Sequence, residues 1–197
     1  MANSKKFLKS LVGVLLTTIL FGRPAISQTS VVGKLYLAEG SVFVRPAGAS
    51  TWNQIQVGTP LSVGDTVRTG DDGKAALEFI DGALVRLGRL SAMTFNEVSP
   101  TGAPAVMQHN GKAYFFSRGA RKEPSIETPM VNAAIYGTEL VVDVTSEKTT
   151  IDVLHGSIKA SNELGAESVG VGESVTARRG ARLTKTILVR PQDAVQW

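Results

Sequence analysis

Leu61-Ser62-Val63-Gly64-Asp65-Thr66-Val67-Arg68-Thr69-Gly70, continued by Asp71-Asp72-Gly73-Lys74-Ala75-Ala76-Leu77-Glu78-Phe79, is the stretch that decides the fold class. Its apolar runs are too short for helices and are separated by Gly-Asp and Asp-Asp-Gly. In the last run Leu77 and Phe79 alternate with Ala76 and Glu78, which puts every second side chain on one face of a strand. Glycine reaches positive φ without steric cost, and aspartate bonds nearby backbone, so such pairs punctuate strands.

The pattern extends in both directions. Leu35, Leu37, Val42 and Val44 share one parity within their runs, as do Leu140, Val142 and Val144, and then Ile151 and Val153. Each set predicts a core-facing row. Further turn signals stand at Glu39-Gly40, Asp81-Gly82, Asn110-Gly111, His155-Gly156 and Leu164-Gly165, and the chain is expected to reverse at each. No helical stripe is present after residue 30. The expectation is a single all-β domain of many short strands, a β-sandwich or a short β-solenoid. Gly40-Ser41-Val42-Phe43-Val44 is similar to Gly156-Ser157-Ile158-Lys159-Ala160, and Val63-Gly64-Asp65-Thr66-Val67 to Val171-Gly172-Glu173-Ser174-Val175. These pairs suggest two similar β-units in the domain.

The first residues have another character. Lys5, Lys6 and Lys9 precede the uncharged run Leu11–Phe21, and Gly22-Arg23-Pro24 then leads to Ala25-Ile26-Ser27. A positive start, a short apolar run and small residues are the pattern of a cleavable signal peptide over residues 1–27. The run of 11 residues falls short of the roughly 20 that span a bilayer. The chain is therefore expected to be exported, to the periplasm or beyond in a bacterium, with no membrane span in its mature part. Four of the 21 basic residues and none of the 17 acidic ones fall within residues 1–27, so residues 28–197 carry 17 of each. The basic balance belongs to the export segment, and nucleic acid is not an expected partner. With no cysteine, disulfides and thiolate metal sites are excluded.

Catalytic and cofactor chemistry finds little support. Asp65, Asp71, Asp72 and Glu78 lack the spacing of a calcium loop. His109 and His155, the two histidines, flank glycine-containing turn signals and bring no ligand set with them. No nucleophile elbow is visible. Gly165 to Gly172 is not followed by the lysine of a phosphate loop. The chain is read as no enzyme, without cofactor or metal. Arg178, Arg179, Arg182 and Lys185 lie in a run free of acid from Ser174 to Gln192. They form a candidate patch for an anionic partner, or they guard an exposed strand edge. Among the aromatics, Trp52, Tyr36, Phe79, Tyr114, Phe115 and Phe116 offer either core packing or a sugar-stacking platform.

Taken in order, these residues resemble the FecR domain family. The resemblance runs through Gly33, Gly40-Ser41-Val42, Trp52, Leu61 to Gly70, Ala75 to Phe79, Asp81-Gly82 with the adjoining Ala83 to Gly88, and Gly111-Lys112-Ala113. It continues through Thr128-Pro129, Gly137-Thr138-Glu139-Leu140, Val153 to Ile158 and Val171-Gly172-Glu173. It implies an all-β domain on the far side of the cytoplasmic membrane. In the regulators that give the family its name, an anti-sigma segment and one membrane helix come first, and the domain receives a signal from an outer-membrane siderophore receptor. Here only four residues precede Lys5, so the chain is similar to secreted proteins carrying the domain by itself. The matched positions Gly40, Trp52, Gly64, Asp65, Asp81, Gly82, Thr128, Pro129, Gly137, Thr138 and Gly156 are expected to be structural. The domain is bounded at residues 28–190. Residues 191–197, ending in Trp197, resemble a link into a further segment. The expected function is a non-catalytic interaction module of the cell envelope, with another envelope protein or an envelope polymer as partner. The alternative is a structural or carbohydrate-binding envelope protein.

Overall fold

The structure, a computed structural model, describes residues 30–96, 105–117 and 125–188. The expected signal peptide and the link at 191–197 lie outside the described residues. The first six strands are β1 (Val31–Glu39), β2 (Val42–Arg45), β3 (Asn53–Gln54), β4 (Pro60–Ser62), β5 (Thr66–Thr69) and β6 (Lys74–Phe79). Next come β7 (Leu84–Leu87), β8 (Ala92–Asn96), β9 (Ala105–Phe116) and β10 (Ser125–Glu127). The last five are β11 (Asn132–Val144), β12 (Lys148–Asn162), β13 (Gly165–Gly170), β14 (Glu173–Arg178) and β15 (Thr184–Ile187). The described residues are all-β.

All the strands belong to one hydrogen-bonded sheet that folds over on itself. In the first layer β4, β1, β6 and β7 lead to residues 111–116 of β9, then to 139–144 of β11, the start of β12, β14 and β15. In the second layer β3, β2, β5 and β8 lead to residues 105–110 of β9, then to β10, the start of β11, the end of β12, and β13. β9, β11 and β12 therefore pass from one layer to the other. Apolar side chains from both layers form one core, and Phe79 of β6 meets Phe95 of β8 edge to face at 5.8 Å. Burial of this shared face drives the fold, at about 25 cal/mol per Å² of apolar surface. Of the two expected forms, a β-sandwich or a short β-solenoid, the arrangement has the packed layers of the first, built from one continuous sheet.

Each crossing strand carries one glycine at positive φ near its middle: Gly111 (80°), Gly137 (55°) and Gly156 (75°). On either side of it the buried parity reverses. Val106 and Gln108 are buried before Gly111, Ala113 and Phe115 after it; Ala133 and Ile135 give way to Leu140 and Val142; Ile151 and Val153 give way to Ile158 and Ala160. A strand that turns the corner must change parity to keep presenting the core with apolar residues, and the pairing shifts between Tyr136 and Leu140 do this.

Asn110-Gly111 and His155-Gly156 were expected to reverse the chain; they lie inside β9 and β12, where a left-handed glycine bends a strand. Of the other signals, Asp81-Gly82 and Leu164-Gly165 close hairpins, between β6 and β7 and between β12 and β13. Glu39-Gly40, Gly64-Asp65 and Asp71-Asp72-Gly73 carry the chain between layers. Leu37 was placed on the core face but is 40% exposed. The β1–β6 register shifts between Leu35 and Leu37, which turns Leu37 outward while Leu35 stays buried. The two resembling units share positive-φ glycines at Gly40 and Gly156 and at Gly64 and Gly172. Their pairings differ: β5 joins the strand after Gly40, whereas β14 joins the half-strand before Gly156.

Candidate functional site: a polar cleft between three turns

Most of the family-motif residues build turns and corners. Thr128 is buried, and its hydroxyl serves the whole β10–β11 turn. It donates to the Val131 carbonyl (2.7 Å) and accepts from the N–H groups of Val131 (3.0 Å) and Met130 (3.3 Å). Pro129 stands exposed at the tip of that turn. Asp65 accepts the Ala47 N–H with one carboxylate oxygen (3.0 Å) and the Ser62 N–H with the other (2.9 Å), locking the passage from β4 to β5. Gly64 beside it has φ of 87°, and a Cβ there would lie 2.6 Å from the Ala47 Cβ. Asp81 accepts the Ala83 N–H (3.0 Å) around Gly82, whose φ is 93°. Gly40 packs against Asp72, whose carboxylate accepts the Ser41 N–H (3.1 Å). Hydrogen bonds from Ser41 hold the Asp72 carboxyl below its ordinary value. Thr138 comes after Gly137 at the β11 corner, where its N–H donates to the Ser117 hydroxyl (3.1 Å).

Two of these residues also line a cleft of about 450 Å³. Its walls are the β10–β11 turn (Thr128 to Asn132), the β12–β13 turn (Ser161 to Leu164) and the β14–β15 turn (Arg178 to Ala181). β12 runs from one wall to another and bends at Gly156, so the two layers open here. Two bonds hold them together: Asn162 donates its amide to the Ala181 carbonyl (2.9 Å), and Thr149 donates to the Thr128 hydroxyl (3.3 Å). Arg178 and Arg179 bring two guanidinium groups to the rim, and Glu163 is the carboxylate in the lining. Met130 and Val131 supply an apolar floor. A cleft with mixed lining and charge at the rim suits an extended polar segment with an anionic group.

The expected basic patch is thus divided. Arg178 and Arg179 face the cleft. Lys185 pairs with Glu173 (3.0 Å) and donates to the Ser168 carbonyl (3.3 Å), so it supports the β13–β14 connection. Together with the Gly170 N–H, which bonds the same carboxylate, it holds Glu173 below the ordinary carboxylate range. Arg182 is exposed and is not among the cleft residues. His109 bonds the Thr94 hydroxyl (2.7 Å), which bonds Thr66 (2.8 Å). That chain holds no carboxylate, so it is not the acid–histidine–hydroxyl set of a hydrolase. Among the described residues no group of three His, Asp or Glu converges as for a metal ion, and no helix is long and apolar enough to cross a membrane. Arg45 and Arg68 escaped the sequence reading; their link to Trp52 appears only when three strands are side by side.

Comparison with known proteins places this architecture. No curated protein matches the chain. Two crystal structures of a candidate anti-sigma factor from Parabacteroides distasonis ATCC 8503, at 2.50 and 1.65 Å resolution, are similar to it with a TM-score of 0.55 each. They are 15% and 16% identical in sequence, which establishes likeness of fold. The match covers 62% of this chain and 59% of each of theirs, so it spans about three fifths of those proteins. The family model described as FecR protein matches residues 65–159, from the aspartate that locks β4 to β5 through the corner glycine of β12. Over residues 65–159 the chain is similar to the FecR family.

Proposed function

We propose that this protein is an exported, non-catalytic interaction module of the cell envelope, a signalling-related FecR domain that binds an envelope protein through the cleft. The FecR match across residues 65–159 carries this reading. It is supported by the cleft, which the Thr128-Pro129 turn of the family motif builds together with Arg178 and Arg179. Motif residues such as Thr128, Asp65 and Asp81 spend their polar groups on turn backbone, which suits a module that presents a shaped surface.

The test is a photoreactive residue placed at Leu164, which is exposed and lines the cleft. The expected result is one defined envelope protein cross-linked in the producing cells, with the adduct lost in the Arg178→Gln/Arg179→Gln double variant. An adduct that ignores the double variant, or no defined adduct, sinks the cleft as the contact. N-terminal sequencing of the recovered protein is expected to begin at Gln28; retention of Met1 to Ser27 on all of it overturns export by cleavage.

A further inference from the structure

The outer face of the second layer holds an arrangement that the cleft does not use. Phe43 and Arg45 project from β2, and Arg68 lies opposite Phe43 on β5. Trp52 comes just before Asn53 of β3, which pairs with Val44, so the indole lies beside Arg45 on the same face. Both guanidinium groups pack on that indole. The Arg68 Cζ is 4.1 Å from the ring centroid and the Arg45 Cζ 5.1 Å. Arg68 also lies 5.2 Å from the Phe43 ring.

Two like charges sharing one aromatic ring repel. Neither arginine has a carboxylate partner among the described residues. β2, β3, β5, β8 and residues 105–110 of β9 contain no Asp or Glu. Asp65 spends its oxygens on two backbone N–H groups, and Glu127 on β10 accepts the Asn96 amide (3.0 Å). The cationic field reaches as far as His109, whose pKa is lowered by burial and then by the charge of Arg45. A guanidinium stacked on a ring keeps its edge N–H donors free, in the planar fork that grips a carboxylate.

We propose that this face is a second binding site, independent of the cleft, and that its ligand is a polysaccharide bearing carboxylates on its sugar rings. Arg45 and Arg68 take the carboxylates, the half-buried Trp52 and Phe43 rings meet the apolar faces of the sugars, and Gln54 and Thr94 are placed for hydroxyl groups. The forks and rings stand on the face of β2 and β5, and the neighbouring edge strand, β3, is two residues long, so the site offers an extended peptide little ladder to join. Recognition by forks, rings and polar side chains on a flat surface suits a charged glycan.

Calorimetry of the purified protein with oligogalacturonate, and in parallel with neutral dextran and polyglutamate, tests this. Binding to oligogalacturonate is expected, weakening with added salt, with none to dextran. Arg68→Gln is expected to weaken it on the order of tenfold or more. Arg68→Lys keeps the charge but loses the fork, and is expected to weaken it nearly as much. Arg178→Gln/Arg179→Gln leaves it unchanged, which separates this site from the cleft. Binding to polyglutamate as tight as to oligogalacturonate overturns the glycan assignment. No binding to oligogalacturonate, or binding that Arg68→Gln does not affect, overturns the site. Circular dichroism of each variant confirms that loss of binding is not loss of fold.

Discussion

The sheet changes layer by two different constructions in the two halves of this molecule. In residues 30–96 the chain stops and restarts: β1 gives way to β2 through Gly40, and β4 to β5 through Gly64-Asp65. In residues 105–188 β9, β11 and β12 pass the corner whole, each with one left-handed glycine. An interrupted corner leaves backbone N–H groups without ladder partners, so side chains must accept them. Asp65 and Asp72 do so, at the backbone of Ala47, Ser62 and Ser41. An uninterrupted corner keeps its ladder but needs space where strands crowd. Gly156 lies against the backbone of Tyr136 and Gly137. Crowded glycines stand in both halves, at Gly40 and Gly64 as at Gly156; what sets the first half apart is the carboxylates that accept its released N–H groups.

Gly156→Ala has the largest expected effect. The added Cβ would lie 2.6 Å from the Gly137 carbonyl oxygen and 2.8 Å from that of Tyr136, at a φ of 75°. Backbone strain and overpacking together should cost roughly 2–5 kcal/mol, read as a lower denaturant midpoint. A variant as stable as the parent would break the idea that these corners depend on space. Asp65→Ala comes next, at about 1–3 kcal/mol, because two N–H groups lose their acceptor. Asp65→Asn, which retains one carbonyl oxygen, is expected to fall between the two. Equal stability of all three would break the claim that interrupted corners rest on carboxylates.

Gly137→Ala sharpens the comparison. Its φ is 55°, but nothing lies within 4 Å of an added Cβ. Only the left-handed strain of about 1–2 kcal/mol should appear, so the excess at Gly156 measures crowding. The smallest effect is electrostatic. Asp72 is held below its ordinary value of 3.8, first by the Ser41 side chain. Its folded pKa is depressed, so its stabilisation is present above 3.8 and is lost as pH falls through the lower folded value. NMR titration should place Asp72 below 3.8 and show Ser41→Ala moving it back up; an unmoved value removes Ser41 as the cause.

Strand composition was legible because alternation is local. Leu77, Phe79, Leu140, Val142, Ile151 and Val153 are all buried where period-two spacing puts them. The motif residues were legible as turn chemistry for the same reason: Asp65, Asp81 and Thr128 bond backbone within three residues of themselves. Leu37 was misread because a bulge depends on the partner strand, and β6 is distant in sequence. Asn110-Gly111 and His155-Gly156 were misread because a left-handed glycine has the same local signature in a hairpin and in a bent strand. Pairing decides between the two, and β9 and β12 stay paired on both sides of the bend.

The candidate sites divide along the same line. Thr128-Pro129 and Arg178-Arg179 were each visible in the chain, but some 50 residues separate them, and only the bend of β12 brings both to one cleft. Lys185 read as part of a basic patch until Glu173 stood beside it. Arg45, Trp52 and Arg68 carried no joint signal at all. The sequence by itself determined that the described residues are all-β, where their glycines and aspartates interrupt regular pairing, and which short-range turns they build, because those properties depend on a few neighbouring residues. The tertiary structure alone decided which glycines bend strands instead of reversing them, which cations are neutralised and which stay free, and which distant turns share a cleft. Those outcomes depend on register and on the folding of one layer over the other, both set by contacts between residues far apart in the chain.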